Sequence, residues 1–397
     1  MSATPASLPD PRDVIGLTQA LVRCPSVTPQ EGGAQRLLAG VLQALGAKVE
    51  QLRFEAPGTA PVDNLLVTIG KGRPHLAFCG HTDVVPVGDE AAWQHDPFGG
   101  EIADERLWGR GACDMKAGVA AFVSALAQFV DAYGVPHGAV SLLITGDEEG
   151  PSVNGVRKLL PYALDAGHVF DGVLVGEPTS RNRIGDMIKI GRRGSLYGTL
   201  TVTGKQGHVA YPQDADNPLT RLTNMLHAML AGRIDGGDAH FQASNLQITS
   251  IDTGNEARNV IPSRARALFN IRFAPSQSIE TLEAWLKARI APIGGDYELD
   301  LRVTAEPTYT EPGPLSELVR ASIKEVCGIE PELSTSGGTS DARFFKDVAP
   351  VVEVGTTGRS MHQVDEYVPL TDIGALRAIY LNILRGFFEI TPARADG

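Results

Sequence analysis

The sequence predicts an α/β protein built on a mainly parallel sheet, with a smaller α+β two-layer domain inserted into it. Three observations lead there. Short apolar runs alternate with helical periodicity as far as about Ile188. From that point the pattern changes to half-exposed strands that alternate residue by residue, with two amphipathic helices among them. Buried-strand character then returns at Val348–Val354, ahead of a long terminal helix. Residues 1–190 and 304–397 are thus expected to form one discontinuous domain and residues 191–303 the insertion. A chain of 397 residues is long enough for two such cores.

The elements follow in order. Asp10-Pro11-Arg12-Asp13 reads as a helix start, with Asp10 as N-cap and Pro11 at the first helical position. Val14, Leu17, Leu21 and Val22 supply its apolar stripe. Thr28-Pro29-Gln30-Glu31 has the pattern of a capping box, opening a helix that turns Leu37, Leu38, Val41, Leu42 and Leu45 inward and stops at Gly46. Asn64–Ile69 and His75–Cys79 read as strands, the Ala-rich Lys116–Val130 as a helix and Ala139–Thr145 as a strand. Gly155–Leu164 should be helical and Gly172–Val175 a short buried strand. In the insertion, Ser195–Thr203, Asn245–Ile251, Ala265–Phe273 and Glu298–Val303 are expected strands, and Pro218–Leu230 and Ile279–Ile290 expected helices. Thr371–Phe388 closes the chain as a helix. Repeats, low-complexity tracts and heptads are absent from the sequence.

Composition narrows the function. Hydrophobic content of 43% and charged content of 21% are those of an ordinary globular protein. A net charge of -12 argues against nucleic-acid and anionic-membrane partners, which call for basic patches. A small anionic substrate remains compatible, because a local arginine cluster can dominate one pocket. Cys24, Cys79, Cys113 and Cys327 are scattered and form no Cys-x-x-Cys, which reads as reduced thiols in a cytoplasmic protein. The first ten residues show no apolar signal region, and no apolar run is expected to reach the roughly 20 residues of a membrane span.

The chemistry-bearing residues sit at the ends of the apolar runs. In Gly80-His81-Thr82-Asp83, His81 and Asp83 are two apart, so an extended backbone turns both to one face. A histidine with a carboxylate in reach is the pattern of an oriented zinc ligand, and equally of a chance surface pair. Asp114 lies in a Gly-rich turn entering a helix, where an N-cap is the plainer role. Asp147-Glu148-Glu149 closes a buried run, where unpaired acids repel one another unless a cation is present, although acid clusters are also common in solvated loops. Glu177 repeats the arrangement after the next strand. His362 comes far downstream, and a lone histidine is more often structural. Together these two histidines and several carboxylates form the nitrogen and oxygen donor set of zinc or a neighbouring divalent ion. More donors than one tetrahedral ion needs favours two ions about 3.5–4 Å apart, and hence hydrolysis.

Four segments carry a resemblance: Gly80 to Val87 (Gly-His-Thr-Asp-Val-Val-Pro-Val), Trp108 to Lys116, Gly146 to Gly150 and Gly176 to Thr179. They resemble the dinuclear-zinc peptidase and deacylase family of aminoacylases, carboxypeptidases and acetylornithine deacetylase, over nearly the whole chain. The resemblance implies a catalytic metal-binding domain and an inserted lid domain that mediates dimerisation in relatives. It implies two Zn²⁺ per subunit, with Co²⁺ able to substitute. Asp114 would bridge the ions, His81 and Glu177 would hold one, and Glu149 and His362 the other. Glu148 would be the general base, Asp83 would orient His81, and His208 would reach a partner subunit's site in a homodimer. Three further segments, Gly191 to Leu196, Gly204 to Pro212 and Thr335 to Phe344, resemble a branch that acts on N-succinyl-LL-2,6-diaminopimelate, releasing succinate and LL-2,6-diaminopimelate. Arg192, Arg193 and Arg343 suit its carboxylates. Ser195, Tyr211, Asn259, Gly338 and Thr339 would complete the substrate-binding lining. Arg258 stands where relatives commonly have Thr, and Gly358 where some have Asn.

Other outcomes are a related N-acyl-amino-acid hydrolase, such as an acetylornithine deacetylase, and a non-catalytic metal-dependent binding protein. The sequence contains neither a P-loop nor His-Glu-x-x-His.

Overall fold

The computed structural model describes residues 8–389. The chain divides into two compact units. The first comprises the chain up to Ile190, Thr310–Ser334 and the chain from Ser340 onward; the second comprises Gly191–Tyr309 and Thr335–Thr339. The return to the first unit falls after Tyr309 rather than at 303, because Asp296–Ala305 is one unbroken strand and Thr308–Tyr309 still pairs with Gly191–Arg192.

The first unit is built on an eight-stranded sheet in the order Lys48–Phe54, Val62–Gly70, Ala139–Thr145, His75–His81, Gly172–Val175, Val351–Glu353, Met187–Lys189 and Glu332–Ser334. Four of its seven pairings are parallel, so the sheet is mixed with a parallel centre. Strict alternation sends side chains to both faces. Leu76 and Phe78 enter one core with the helices Val14–Val22, Ala34–Ala44, Ala117–Tyr133 and Leu370–Phe387; Ala77 and Cys79 enter the other, beside Val156–Asp165. Both faces being covered explains why these strands read as continuous apolar runs. Phe78 stacks on Phe122 at 4.1 Å, and Tyr380 packs edge-on against both while its hydroxyl donates to the Val354 carbonyl at 2.6 Å.

The second unit holds an antiparallel sheet in the order Asn245–Asp252, Arg264–Phe273, Gly194–Thr203 and Asp296–Ala305. Arg264–Phe273 alternates between buried and more exposed positions along its length, and its buried set packs with residues of Pro218–Leu230 and Ile279–Ile290. This is the expected two-layer arrangement.

Some local signals lost to tertiary contacts. The first helix starts at Val14 and is capped by Asp13, whose carboxylate accepts from Gly16 N–H; Asp10 instead turns back on Arg12 N–H. The Thr28 capping box does not form, because the Thr28 hydroxyl donates to Asp83 at 2.7 Å. The helix Ala34–Ala44 begins after Gly33 at φ +98°, with Glu31 accepting from Gly33 and Gln35 N–H. Ala112–Tyr133 is also apolar and long enough, at 22 residues, to cross a membrane, contrary to expectation. With 89% of its apolar window buried inside the protein, it serves as a core helix. All four cysteines are free thiols, with Cys79 and Cys113 buried.

At the far end of the central strand, His75 is buried against Phe170 and shares a hydrogen bond with Ser141 at 2.9 Å. Burial, aided by the nearby His168, lowers its pKa to about 4. The unfolded chain takes up that proton below about pH 6.5, so this contribution to stability is complete above that value and lost as the pH falls towards 4. H75Q is therefore expected to lose less of its urea-unfolding midpoint than the parent protein between pH 7 and 5. Equal slopes would refute this account.

Candidate metal centre

The central parallel strands end level with one another. His81 lies opposite Thr145, Cys79 opposite Val175, and Val175 opposite Glu353. Loops leaving these ends start side by side, where a parallel sheet presents its ligand-binding groups. His81 is the last residue of its strand, Glu148 and Glu149 follow Thr145, Glu177 follows Val175, and His362 stands in the loop beyond Glu353. Close approach needs glycine here: a Cβ on Gly118 would strike the Gly176 carbonyl oxygen, and one on Gly355 that of Glu177.

Asp114 joins them from the irregular stretch Ala112–Lys116 ahead of the helix Ala117–Tyr133, where its φ of -116° and ψ of 96° are not helical. Its Oδ1 lies 3.3 Å from His81 Nε2 and its Oδ2 3.1 Å from His362 Nε2. Glu177 Oε1 is 3.7 Å from His81 Nε2, and Glu149 Oε1 is 2.8 Å from His362 Nε2. Each oxygen of one aspartate therefore faces a different histidine–glutamate pair. The ligand atoms of His81, Asp114 and Glu149 lie within 4.8 Å of one another, as do those of His81, Glu148 and Glu177.

The donor set fits metal ions. His81 Nδ1 donates to the Asp83 carbonyl at 2.9 Å, which directs Nε2 to the carboxylates. His81 Nε2 and Asp114 Oδ1 are buried without a hydrogen-bond partner among the described residues, the state of polar atoms that receive an ion.

The electrostatics agree. Burial alone would lower the pKa of His81, but the adjacent Asp114 carboxylate and the charges of Glu177 and Asp83 hold it well above the usual histidine value. Hydrogen bonds to Asp114 and Glu149 raise the partly exposed His362 to about 10. Burial would raise Asp114, yet the adjacent imidazoles of His362 and His81 keep it well below the usual carboxylate range. Burial pushes Glu148 well up, and the charges of Glu177, Asp341 and Glu149 push it further. Two protonated histidines thus occupy the place of positive charge.

Several positioning contacts were not legible beforehand. The Asp83 carboxylate is 3.6 Å from His81 Nδ1, too long for a hydrogen bond; the carbonyl of Asp83 orients the ring instead. That carboxylate accepts from Glu148 N–H at 3.3 Å, Glu149 N–H at 3.1 Å and the Thr28 hydroxyl, so it fixes the backbone of the acid pair. Asp147, the third acid of that loop, turns away to accept from Val153 and Asn154 N–H. Buried Glu366 accepts from Cys113 N–H, Asp114 N–H and Arg110. Buried Asp341, pushed up to about 6 by burial, adds a further acid.

Arg343 also belongs to the first unit, where its guanidinium donates to the Ser340 carbonyl and lies 3.6 Å from Asp341 and over Phe344. The other expected substrate-binding residues belong to the second unit. Arg192 donates to the Gly338 carbonyl at 2.9 Å, next to Thr339, and Arg193 donates to that of Ala243. Ser195 is buried in its strand and accepts from Asn270. Tyr211 is exposed, its ring 5.7 Å from that of His208. The Asn259 carbonyl accepts from Val209 N–H. His208 is exposed, and its Nδ1 accepts from Ala210 N–H at 3.0 Å.

Known proteins bear on this geometry. The profile of Peptidase family M20/M25/M40 matches residues 77–386. A succinyl-diaminopimelate desuccinylase of Rhodospirillum centenum is 54% identical over 380 residues, spanning 96% of this chain and 98% of its own. An M20 family metallo-carboxypeptidase from Sulfolobus solfataricus superposes with a TM-score of 0.78 at 19% identity, over 95% of this chain and all of its own. The Bacillus subtilis YXEP protein, described as a dinuclear metal-binding peptidase, gives 0.69 at 14% identity over 96% and 99%. These two likenesses show a shared fold.

Ligation requires neutral imidazole, so metal binding must displace the protons held by His81 and His362. Zinc added to chelated protein at pH 7.5 is expected to release protons, and about one fewer per subunit from H362Q. Affinity should rise with pH until about 10, where His362 loses its proton unaided. Calorimetry in buffers of different ionisation enthalpy measures the count; zinc binding with no proton release would contradict this account.

Proposed function

The chain belongs to Peptidase family M20/M25/M40, and on that premise we propose that it is a metal-dependent amidohydrolase cleaving N-succinyl-LL-2,6-diaminopimelate to succinate and LL-2,6-diaminopimelate, a step towards lysine. The observation that carries the chemistry is Asp114 offering one oxygen to each of two histidine–glutamate pairs, with Glu148 beside them. The identity of the substrate rests on the high identity, over nearly full length, to proteins named for that reaction.

In this reading His81 and Glu177 would hold one Zn²⁺, Glu149 and His362 would hold the other, and Asp114 would contribute to both, with Co²⁺ able to substitute. Bound there, the ions supply Lewis acidity to the scissile amide and to water. Glu148 takes the proton of the attacking water and hands it to the leaving amine. Burial and neighbouring acids raise Glu148, and cations pull it back towards the carboxylate a base requires. Asp83 keeps Glu148 in place through its backbone N–H.

A cytoplasmic homodimer is part of the proposal. Accepting at Nδ1 leaves His208 with its proton on Nε2 when neutral, the donor form suited to a tetrahedral oxyanion in the partner subunit's site. Arg192, Arg193 and Arg343 supply the cationic groups for a substrate with several carboxylates, with Ser195, Tyr211, Asn259, Gly338 and Thr339 as the polar lining.

E148A should retain its zinc by elemental analysis and lose at least about 10²-fold in kcat, whereas a metal-dependent binding protein would show no turnover to lose. Chelated protein with zinc added back should turn over the succinyl substrate faster than acetylornithine. The reverse order would replace the assigned substrate. Sedimentation should show a dimer, and H208A should lower kcat by about 10²-fold; a monomer of full activity would remove His208 from the mechanism.

A further inference from the structure

Glu366 has no part in the reaction as described, yet it is wholly buried beside the metal centre. One oxygen, Oε1, accepts from Cys113 N–H at 3.1 Å and Asp114 N–H at 3.2 Å. The other, Oε2, accepts from Arg110 Nη1 at 2.8 Å, and Arg110 is itself buried. The same Nη1 donates to the Gln363 carbonyl at 3.0 Å, and the Glu366 carbonyl accepts from Gly109 N–H at 2.8 Å. One buried ion pair therefore ties the stretch that carries Asp114 to the loop that carries His362, although the two are far apart in sequence.

The two halves of the centre need this tie unequally. His81 ends a central strand and its ring is held by the Asp83 carbonyl. His362 lies outside any strand or helix, at φ +61°, with its side chain 44% exposed. Asp114 likewise sits outside regular helical geometry, so helix hydrogen bonding does not hold its N–H; Glu366 does. We propose that Glu366, paired with Arg110, is a positioning residue that aims Asp114 and His362 together and so governs the affinity of the ion position formed by Asp114, Glu149 and His362. This rests on the two-ion reading of the site.

Competition with a chelator, followed by elemental analysis, tests it on E366Q and E366D, with the unfolding of each metal-free protein measured alongside. E366Q is expected to unfold cooperatively without metal and to take up its first zinc as the parent does. Its second zinc should bind about 10–100-fold more weakly, the usual effect of losing an outer partner of a metal ligand. In E366D, which keeps the charge, part of that affinity should return, and kcat should fall in E366Q while KM changes little. Unchanged affinity at both positions overturns the proposal. So does equal weakening of both in a folded protein, which would make Glu366 a general structural group. Should E366Q fail to fold, the same titration of E366D decides between these outcomes. A parent protein that binds two zinc ions but spares the succinyl substrate would overturn the proposed function and leave this inference standing; a parent that binds only one would overturn the inference.

Discussion

Acids crowded at the end of a buried sheet are the constraint from which the rest follows. Two like charges 4 Å apart repel by about 4 kcal/mol at an effective dielectric of ~20. Asp114, Glu148, Glu149 and Glu177 are gathered there, with Asp83 and Asp341 buried nearby. Such a cluster is relieved by taking up protons or by positive charge in its midst. Two histidines with strongly raised proton affinity provide it in the metal-free chain, and metal ions take over by displacing those protons. The same charges that make the cluster costly when empty make it bind cations.

Geometry then divides the work. Level strand ends bring the ligands together, and glycines let helix and loops approach one another closely. Asp83 fixes the acid pair through the backbone N–H groups of Glu148 and Glu149 rather than through their carboxylates. The two histidines also differ: His81 is sealed in the core, whereas His362 stands partly in solvent on a loop clamped by Arg110 and Glu366. One histidine ends a strand of the sheet, and the other stands on a loop that the buried Arg110–Glu366 pair helps to hold.

The elements most legible in the sequence were the continuously apolar central strands and the helices whose apolar residues recur periodically. Ala139–Thr145, Gly172–Val175, Pro218–Leu230 and Ile279–Ile290 run as their apolar spacing requires. Lys48–Phe54 escaped notice because an edge strand with Lys, Glu, Gln and Arg along it carries no apolar alternation. The helix Pro314–Cys327 was also missed, although Pro314 marks its first turn. Helix starts misled where a capping side chain had a tertiary competitor, as Thr28 had in Asp83. A local motif states what a side chain can bond, and the fold decides which partner reaches it first.

By itself the sequence determined the class of fold and the placement of candidate metal-ligating side chains at the ends of apolar runs. Both depend on residue type and near-neighbour spacing. Only the tertiary structure decided that one aspartate oxygen faces each histidine, that Asp147 turns away from the centre, that the Asp83 carbonyl rather than its carboxylate orients His81, and that Glu366 reaches back to Asp114. The contacts that join Asp114 to His362 and Glu366 link segments some hundreds of residues apart, and local spacing along a chain holds no record of which distant backbone groups will be left in need of a partner.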